Sequence, residues 1–235
     1  MSPESERRHD LLRELASLDT GDLLERLCQL AITRVPCDGA AVVVTAAGIP
    51  AGVLASAGDC ARTLTEAEFE LGEGPAFEST RADRLVHVDH LDATTTASWP
   101  VVGSLLMQAG ISALSTFPLR LGAIRLGVAH VIRLDAGPLT DDGFATARVI
   151  ADLMTDAVLF LQAGLVNEEF DDLLSAAGKD RLRVHQATGM VAEMLGCPMP
   201  DALARMRARS YVEGIPLSDL ATQIIERKVE FSHDD

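Results

Sequence analysis

The sequence predicts an α+β domain with a mainly antiparallel sheet, then a long connecting helix and a small all-α bundle. Short β-branched runs separated by glycine turns fill the first part of the 235 residues. A long apolar heptad pattern follows them, and three short amphipathic segments come last. With 48% hydrophobic and 23% charged residues, the composition is typical of a folded globular protein. Two modules of different architecture are therefore expected in one chain.

The first domain is predicted to begin with helices, because leucines repeat at helical spacing over residues 1–35 with a break at Thr20-Gly21. Apolar, β-branched runs then predict strands at Ala40–Thr45, Gly52–Ser56, Leu85–Val88, Ala113–Leu121 and Arg125–Leu134. The last two strands are joined by a short glycine-containing turn. Helices and strands in this order favour an antiparallel sheet over a parallel one.

Short helices are expected between these strands. Thr65 with Glu68 three residues later forms a capping box, which predicts that a helix begins there. The run 72–75, Gly-Glu-Gly-Pro, predicts a turn. A helical stripe over 99–109 ends at Gly110, which is a typical residue to close a helix.

The next helix has the most regular pattern in the chain. Its apolar residues step by three and four, and they are Phe144, Ala147, Ala151, Met154, Val158, Leu161 and Leu165. Such a stripe can form a coiled-coil seam with a second copy, or it can lie on the sheet of its own domain. The seam is the preferred interpretation, and it predicts a homodimer. The core interpretation stays open.

Beyond Asp180 three helices are expected, with the first ending at Gly196, the second beginning near Pro200 and the third near Pro216. The core stripe of the first helix is assigned to Val184, Ala187, Met190, Val191 and Met194. This assignment places three polar residues, Arg181, His185 and Thr188, on the opposite, exposed face.

The charge distribution separates the two modules. Residues 1–178 hold 12 arginines and 26 acidic residues, a balance of −14, whereas residues 179–228 hold eight basic and six acidic residues, a balance of +2. The net charge of −15 therefore does not exclude nucleic acid as a partner of the second module. An acidic start without an apolar core argues against a signal peptide, and no apolar run is long enough to span a membrane. Four cysteines without a CxxC pair favour a reducing, cytoplasmic location.

The second module resembles the ANTAR domain, an RNA-binding three-helix module of transcription antiterminators. The resemblance lies in the run 183–196 (RVHQATGMVAEMLG), in 201–207 (DALARMR) and in 217–225 (LSDLATQII). Two positions depart from the family pattern: Thr188 stands where the family usually has Lys, and Pro198 where it commonly has Ser. The missing lysine charge predicts weaker binding to phosphate.

The first module resembles the GAF domain, a family of small-molecule sensors and interaction domains. The run 71–75 (LGEGP) with 86–89 (VHVD) afterwards matches the family pattern, and 127–133 (GVAHVIR) resembles its last strand. The resemblance implies domain boundaries of 1–165 for the GAF-like sensor, 166–178 for a helical linker, 179–228 for ANTAR and 229–235 for an acidic tail. A GAF–ANTAR pairing occurs in actinobacterial regulators.

The ANTAR resemblance implies a target of paired RNA hairpins in nascent transcripts, read by two copies of the domain, with no role for DNA. Guanidinium groups bind phosphate and stack on unpaired bases. The candidate RNA-binding residues are Lys179, Arg181, Arg183, His185, Gln186, Thr188, Arg205, Arg209 and Tyr211. For Tyr211, a position in the bundle core is preferred over stacking on a base. For His185, a surface position without a role in RNA binding is preferred.

A pocket for an unknown small molecule is expected between the sheet and the helices of residues 74–110. Its candidate lining residues are Glu78, His87, Asp89, Trp99 and Met107. No cofactor is predicted. His87 and His90 flank Asp89, but two histidines without further ligands do not predict a metal site.

The sequence thus predicts an RNA-binding antitermination regulator, not an enzyme, whose GAF-like domain controls ANTAR dimers. One alternative is a signalling interaction module in which RNA binding is weakened or lost, because of Thr188. A more remote alternative is a cysteine-dependent methionine sulfoxide reductase of the GAF type, using Cys28, Cys37 or Cys60. Cys28 lies on an apolar helix stripe, which favours a buried thiol.

Overall fold

The structure, a computed structural model, describes residues 3–17, 22–46, 49–162, 179–229 and 231–232, without the side chains of 162, 179–182 and 185. The chain forms two compact units: one takes up Met1–Phe69 and Glu73–Phe170, and the other takes up Glu70–Gly72 and Asp171–Asp235. No described helix is both long and apolar enough to cross a membrane.

The first unit is built on a five-stranded antiparallel sheet. Its strands are β1 (Gly39–Ala46), β2 (Ile49–Ala57), β3 (Val86–Val88), β4 (Ala113–Leu121) and β5 (Ile124–Arg133), in the order β2-β1-β5-β4-β3. The helices are α1 (Pro3–Ser17), α2 (Leu23–Arg34), α3 (Asp59–Leu71), α4 (Pro75–Ala82), α5 (Pro100–Gln108) and α6 (Asp141–Gln162). The predicted α+β class with an antiparallel sheet is confirmed.

One face of the sheet, here called face A, carries the main apolar core. Alternate residues of the strands point to it, among them Val42 of β1, Phe117 of β4 and Ala129 of β5. Helices α2 and α6 pack on this face, and α1 packs on α6. Helix α6 begins directly after Thr140. The hydroxyl of Thr140 accepts the N–H of Gly143 at 3.1 Å and so caps the start of the helix.

The opposite face, face B, is covered by α4 together with α3 and α5. Ala76 of α4 packs against Val43 and Val128 of the central strands. Three polar residues also belong to this layer: Glu68 of α3, Thr116 of β4 and His130 of β5, each at most 3% exposed. A polar group that is buried in this way needs a partner within the domain.

Two helices of this unit differ from the prediction. Helix α3 begins at Asp59 rather than at Thr65, whose hydroxyl donates to the Arg62 carbonyl inside the helix. The predicted capping box at Thr65 and Glu68 is therefore wrong. Helix α4 was not predicted, although Pro75 at its first turn is a known start signal.

The heptad stripe of α6 lies inside its own domain. Ala147, Ala151, Met154, Val158 and Leu161 are between 1% and 7% exposed and belong to the core of face A. The ring of Phe144, which is half-buried, lies 5.7 Å from that of Phe117. The structure thus corrects the preferred interpretation of this stripe as a dimer seam, and the core alternative agrees with it. Leu165 lies outside the described residues.

The second unit is a three-helix bundle of α7 (Lys179–Leu195), α8 (Met199–Glu213) and α9 (Leu217–Ile225). Helix α7 packs against both others. Its interior is formed by small and aliphatic side chains: Val184, Ala187, Val191, Ala202, Met206, Leu217, Leu220 and Ile224 are all at most 3% exposed. Gly214, with φ of 65°, ends α8 in the left-handed conformation that glycine adopts at low cost.

Candidate functional site

The outward surface of α7 carries part of the predicted RNA-binding set. Arg183 and Gln186 are exposed, as expected. The side chains of Lys179, Arg181 and His185 lie outside the described residues, although their backbone is helical. Their roles stay predictions.

Thr188 does not lie on the exposed face. It is 3% exposed, its hydroxyl donates to the Val184 carbonyl at 2.6 Å, and its Oγ1 lies 3.6 Å from Sδ of Met206. The placement of Thr188 on an outward face is therefore wrong. The error arose because Met194, which is 39% exposed, was assigned to the core in place of Leu195. A threonine can occupy a helix interior because its hydroxyl bonds back to the preceding turn.

The two arginines predicted on α8 differ in their surroundings. Arg205 is half-buried. Arg209 Nε donates to Glu213 Oε1 at 2.7 Å, and its guanidinium carbon lies 5.0 Å from the ring centre of Phe231. Arg209 is thus held by one carboxylate and one aromatic ring of its own chain, which reduces the charge it can offer to a phosphate.

Tyr211 is presented to solvent at the end of α8. It is 66% exposed, and its neighbour Val212 is 83% exposed. The core position preferred for Tyr211 is therefore wrong, and its ring is accessible. The helix end beneath it is held in place, since the Ser210 hydroxyl donates to the Ile215 carbonyl at 2.7 Å. An exposed aromatic ring on a fixed helix end can serve as a stacking surface.

In the first unit, the carboxylates around the 71–75 motif bind donors of their own chain. Glu68 Oε1 accepts the Ala76 N–H at 2.6 Å, so that it caps α4, whose N-cap residue Gly74 has no side chain. A Cβ on Gly74 would lie 2.6 Å from Glu68 Cγ, and the φ of Gly74 is 131°. The glycine of the motif is thus required for the close approach of the carboxylate.

The same carboxylate reaches the sheet. Glu68 Oε2 lies 3.2 Å from Nε2 of His130, and Nδ1 of that ring is 2.8 Å from the Thr116 hydroxyl. All three side chains are buried on face B. This chain of contacts joins α3, α4, β4 and β5. Sequence reasoning missed it because His130 and Glu68 lie far apart along the chain.

Two further glutamates of the predicted pocket region serve the fold in the same way. Glu73 Oε1 accepts the N–H groups of Val101 and Val102 at 2.8 and 3.0 Å, and so caps α5. Glu78 Oε2 accepts the indole N–H of Trp99 at 2.9 Å, and Trp99 is 1% exposed. The structure brings Glu78 and Trp99 together, but as a partly buried pair that holds the indole in place.

The remaining pocket candidates lie elsewhere. His87 projects to face A, where its Nδ1 is 2.7 Å from the Ser115 hydroxyl and its Nε2 is 2.8 Å from Asp89 Oδ1. Met107 is exposed on α5. The five residues therefore do not line one pocket, because His87 and Asp89 contact each other and Ser115 on face A, Glu78 contacts Trp99, and Met107 is exposed.

A cleft of about 660 Å³ opens in the first unit away from these residues. It lies between α1 and the first turns of α6 and is lined in part by Arg7, Leu139, Phe144 and Arg148. None of the five predicted pocket residues lines it. Across the described part of the chain, no group of three His, Cys, Asp or Glu side chains is placed to hold a metal ion.

The cysteines of the first unit are not activated. Burial raises the pKa of the Cys37 thiol to about 12, with the Asp38 carboxylate adding to the effect. Burial also raises the pKa values of Cys28 and Cys60 above the ordinary thiol range. The thiolate is the reactive form of cysteine, so these side chains are poor nucleophiles at neutral pH.

Comparison with known proteins places these features in two domain families. Residues 172–225 match the family model of the ANTAR domain. The GAF domain of an Acinetobacter phosphoenolpyruvate-protein phosphotransferase is similar to the first unit, with a TM-score of 0.50 and 10% identity over 69% of this chain and 97% of that chain. None of the curated proteins compared with the sequence matches it.

Two other solved structures are similar at lower scores. The GAF domain of a Coxiella burnetii phosphoenolpyruvate-protein phosphotransferase has a TM-score of 0.49 and 11% identity, over 68% of this chain and 95% of that chain. The type II free methionine-R-sulfoxide reductase of Thermoplasma acidophilum has a TM-score of 0.43 and 17% identity, over 67% and 95% of the two chains. At these identities the likeness concerns the fold only.

The fold and the comparisons define a chain of two domains. The five-stranded antiparallel sheet with its flanking helices is a GAF-like domain. The three described helices that follow lie within the segment 172–225 that matches the ANTAR domain. The predicted GAF plus ANTAR architecture is confirmed.

Proposed function

We propose that this chain is an RNA-binding regulator of transcription antitermination that acts in the cytoplasm. Its ANTAR domain binds two-hairpin RNA in nascent transcripts, and its GAF-like domain controls that binding. The observation that carries the proposal is the ANTAR match at 172–225. In the folded bundle, Arg183, Gln186 and Tyr211 of that segment are directed outward.

Charge and shape support RNA as the ligand. The segment 179–228 has a balance of +2, whereas residues 1–178 have a balance of −14. Repulsion from the acidic domain steers a phosphate backbone toward the bundle. Unpaired RNA bases stack on aromatic rings and arginine planes, and Tyr211 offers such a ring at 66% exposure.

The functional unit is proposed to be a homodimer, since each bundle binds one hairpin of a pair. The contacts between the two copies lie outside the α6 stripe, because that stripe is buried within its own domain. Any ligand of the GAF-like domain is proposed to act on the distance between the two bundles. A correctly held hairpin pair then prevents an overlapping terminator from forming.

An interaction module without RNA binding is the second candidate. The argument for it was the absence of a lysine at position 188. That argument weakens, because Thr188 is 3% exposed and its hydroxyl is used within the helix. A sulfoxide reductase is disfavoured by the raised thiol pKa values in the first domain. We therefore propose that the chain is not an enzyme.

The test is binding of the full chain to a two-hairpin RNA across a salt titration. We expect the affinity to fall steeply as the salt concentration rises. For each phosphate contacted, the logarithm of the association constant should fall by about 0.7 to 0.9 for a tenfold rise in salt concentration. The double variant Arg183→Glu/Arg205→Glu should lose more than tenfold in affinity. Arg148→Glu reverses the charge of an exposed arginine in the first domain and is the matched control.

The two outcomes separate the candidates. If the folded protein binds no RNA at low salt, whether it is a monomer or a dimer, the RNA-binding function is wrong and the interaction module is favoured. Equal losses in the double variant and in the Arg148→Glu control would mean that binding depends on overall charge, not on the bundle.

A further inference from the structure

Gly189 lies in the interior of α7, and none of the described side chains requires a glycine there. Its backbone is helical, and it is not among the residues with positive φ. A Cβ at this position would meet no heavy atom within 4 Å among the described residues. Glycine weakens a helix interior relative to alanine, and here it is not needed for packing.

The residues around Gly189 show what kind of surface it belongs to. Arg183, Gln186 and Gly189 follow one another at steps of three, so they lie along one ridge of the helix. Arg183 and Gln186 are exposed, and Gly189 is partly exposed. The ridge is turned away from Val184, Ala187 and Val191, which are at most 3% exposed in the bundle core. It therefore presents a guanidinium, an amide and then a glycine whose Cβ position meets none of the described atoms.

We propose that this ridge is where the RNA backbone approaches the bundle most closely, with a loop nucleotide seated against the helix at Gly189. This inference rests on the proposed RNA-binding function. A glycine allows a ligand to reach the main chain, which any Cβ would prevent. Gln186 on the next turn contacts the base or sugar edge, and Arg183 contacts a phosphate.

Charge favours RNA over a second copy of the chain as the occupant. The bundle segment carries a balance of +2, which suits a polyanion. Gln186, which precedes Gly189 on the ridge, is also polar and exposed, whereas helix pairs that pack through a glycine bury apolar neighbours.

The experiment measures RNA affinity and melting temperature for Gly189→Ala in the full chain. We expect the melting temperature to rise by a few degrees, since alanine favours the helix and meets no atom in the structure. We expect RNA affinity to fall at least tenfold, and Gly189→Leu to lower it further. A merely structural glycine predicts the opposite change in melting temperature.

The matched control is Ala204→Gly, which removes a methyl group from an exposed position on α8, away from this ridge. It should lower the melting temperature and leave RNA affinity within twofold. If the wild-type chain binds RNA and Gly189→Ala binds equally well, this inference is wrong while the proposed function stands. If the wild-type chain binds no RNA, both are wrong. A lower melting temperature for Gly189→Ala would also overturn the inference, because the glycine would then serve the fold.

Discussion

The two domains use their polar side chains in opposite ways. In the GAF-like domain, Glu68, Glu73 and Glu78 bind a helix terminus or an indole of their own chain. In the bundle, Arg183, Gln186 and Tyr211 stand on the outside of a core made of small aliphatic residues. The glutamates in and near the glycine-rich motif thus stabilise the fold of their own domain. The polar residues spaced along the bundle helices instead form its accessible surface.

The difference follows from the backbone N–H groups at helix starts, which have no acceptor within their own helix. Helices α4 and α5 begin at residues without a capping side chain, so their first N–H groups need acceptors from elsewhere. The carboxylates of the motif supply them. The motif residues are therefore not free to bind a ligand in the described arrangement.

The largest effect expected from this contrast concerns the thiols of the first domain. At pH 8 a thiol with a pKa of about 12 is almost entirely protonated, so alkylation of Cys37 should be on the order of 1,000-fold slower in the folded protein than in urea. Because the pKa of Cys37 is raised, its alkylation rate should keep rising with each unit of pH above 8. Mass spectrometry of labelled peptides measures this. Fast labelling at neutral pH would revive the reductase alternative.

The next effect concerns the buried carboxylate. Glu68→Ala removes the cap of α4 and leaves His130 without its carboxylate, so we expect a loss of about 3 kcal/mol in the free energy of unfolding. Urea denaturation followed by fluorescence of Trp99, the one tryptophan of the chain, reports on this domain. Glu66→Ala, at an exposed position of the same helix, is the control. A loss below 1 kcal/mol for Glu68→Ala would show that the glutamate is not the hub described above.

A smaller effect is expected on the outward side of the bundle. Tyr211→Ala should weaken binding to a two-hairpin RNA roughly tenfold, in keeping with about 1–3 kcal/mol for a stacked base. Thermal stability should hardly change, because the ring is 66% exposed. Tyr211→Phe keeps the ring and should keep the affinity. Unchanged binding of the alanine variant would remove Tyr211 from the interface.

Much of the fold was predictable, because it depends on local patterns. The hairpin of β4 and β5 is signalled by two apolar runs around a glycine turn, and the predicted bounds of β4, Ala113–Leu121, agree with the structure. The short helix α4 was missed, since its eight residues mix polar and small side chains without a clear stripe. The heptads of α6 could not distinguish a partner helix from the domain's own sheet, because both bury a stripe of the same spacing.

The site was less predictable, since it depends on which side of a helix faces the core. A shift of one residue, from Met194 to Leu195, moves Thr188 from the surface to the interior. The pairing of Glu68 with His130 joins residues from different elements, and no local pattern signals it. The sequence also gives no means of telling which arginines of the bundle have partners in their own chain. The structure shows that Arg209 contacts Glu213 and Phe231.

The smallest effect is expected at Thr188, and it decides between the two candidate functions. Thr188→Val keeps the shape of the side chain, and the Val184 carbonyl retains its helical partner, so stability should change by less than about 1 kcal/mol. RNA affinity should stay within twofold in the same binding assay. A tenfold loss would mean that the hydroxyl reaches RNA and that the helix turns its other side outward. Unchanged binding would mean that the position is part of the core, so that the absence of a lysine there gives no reason to expect lost RNA binding.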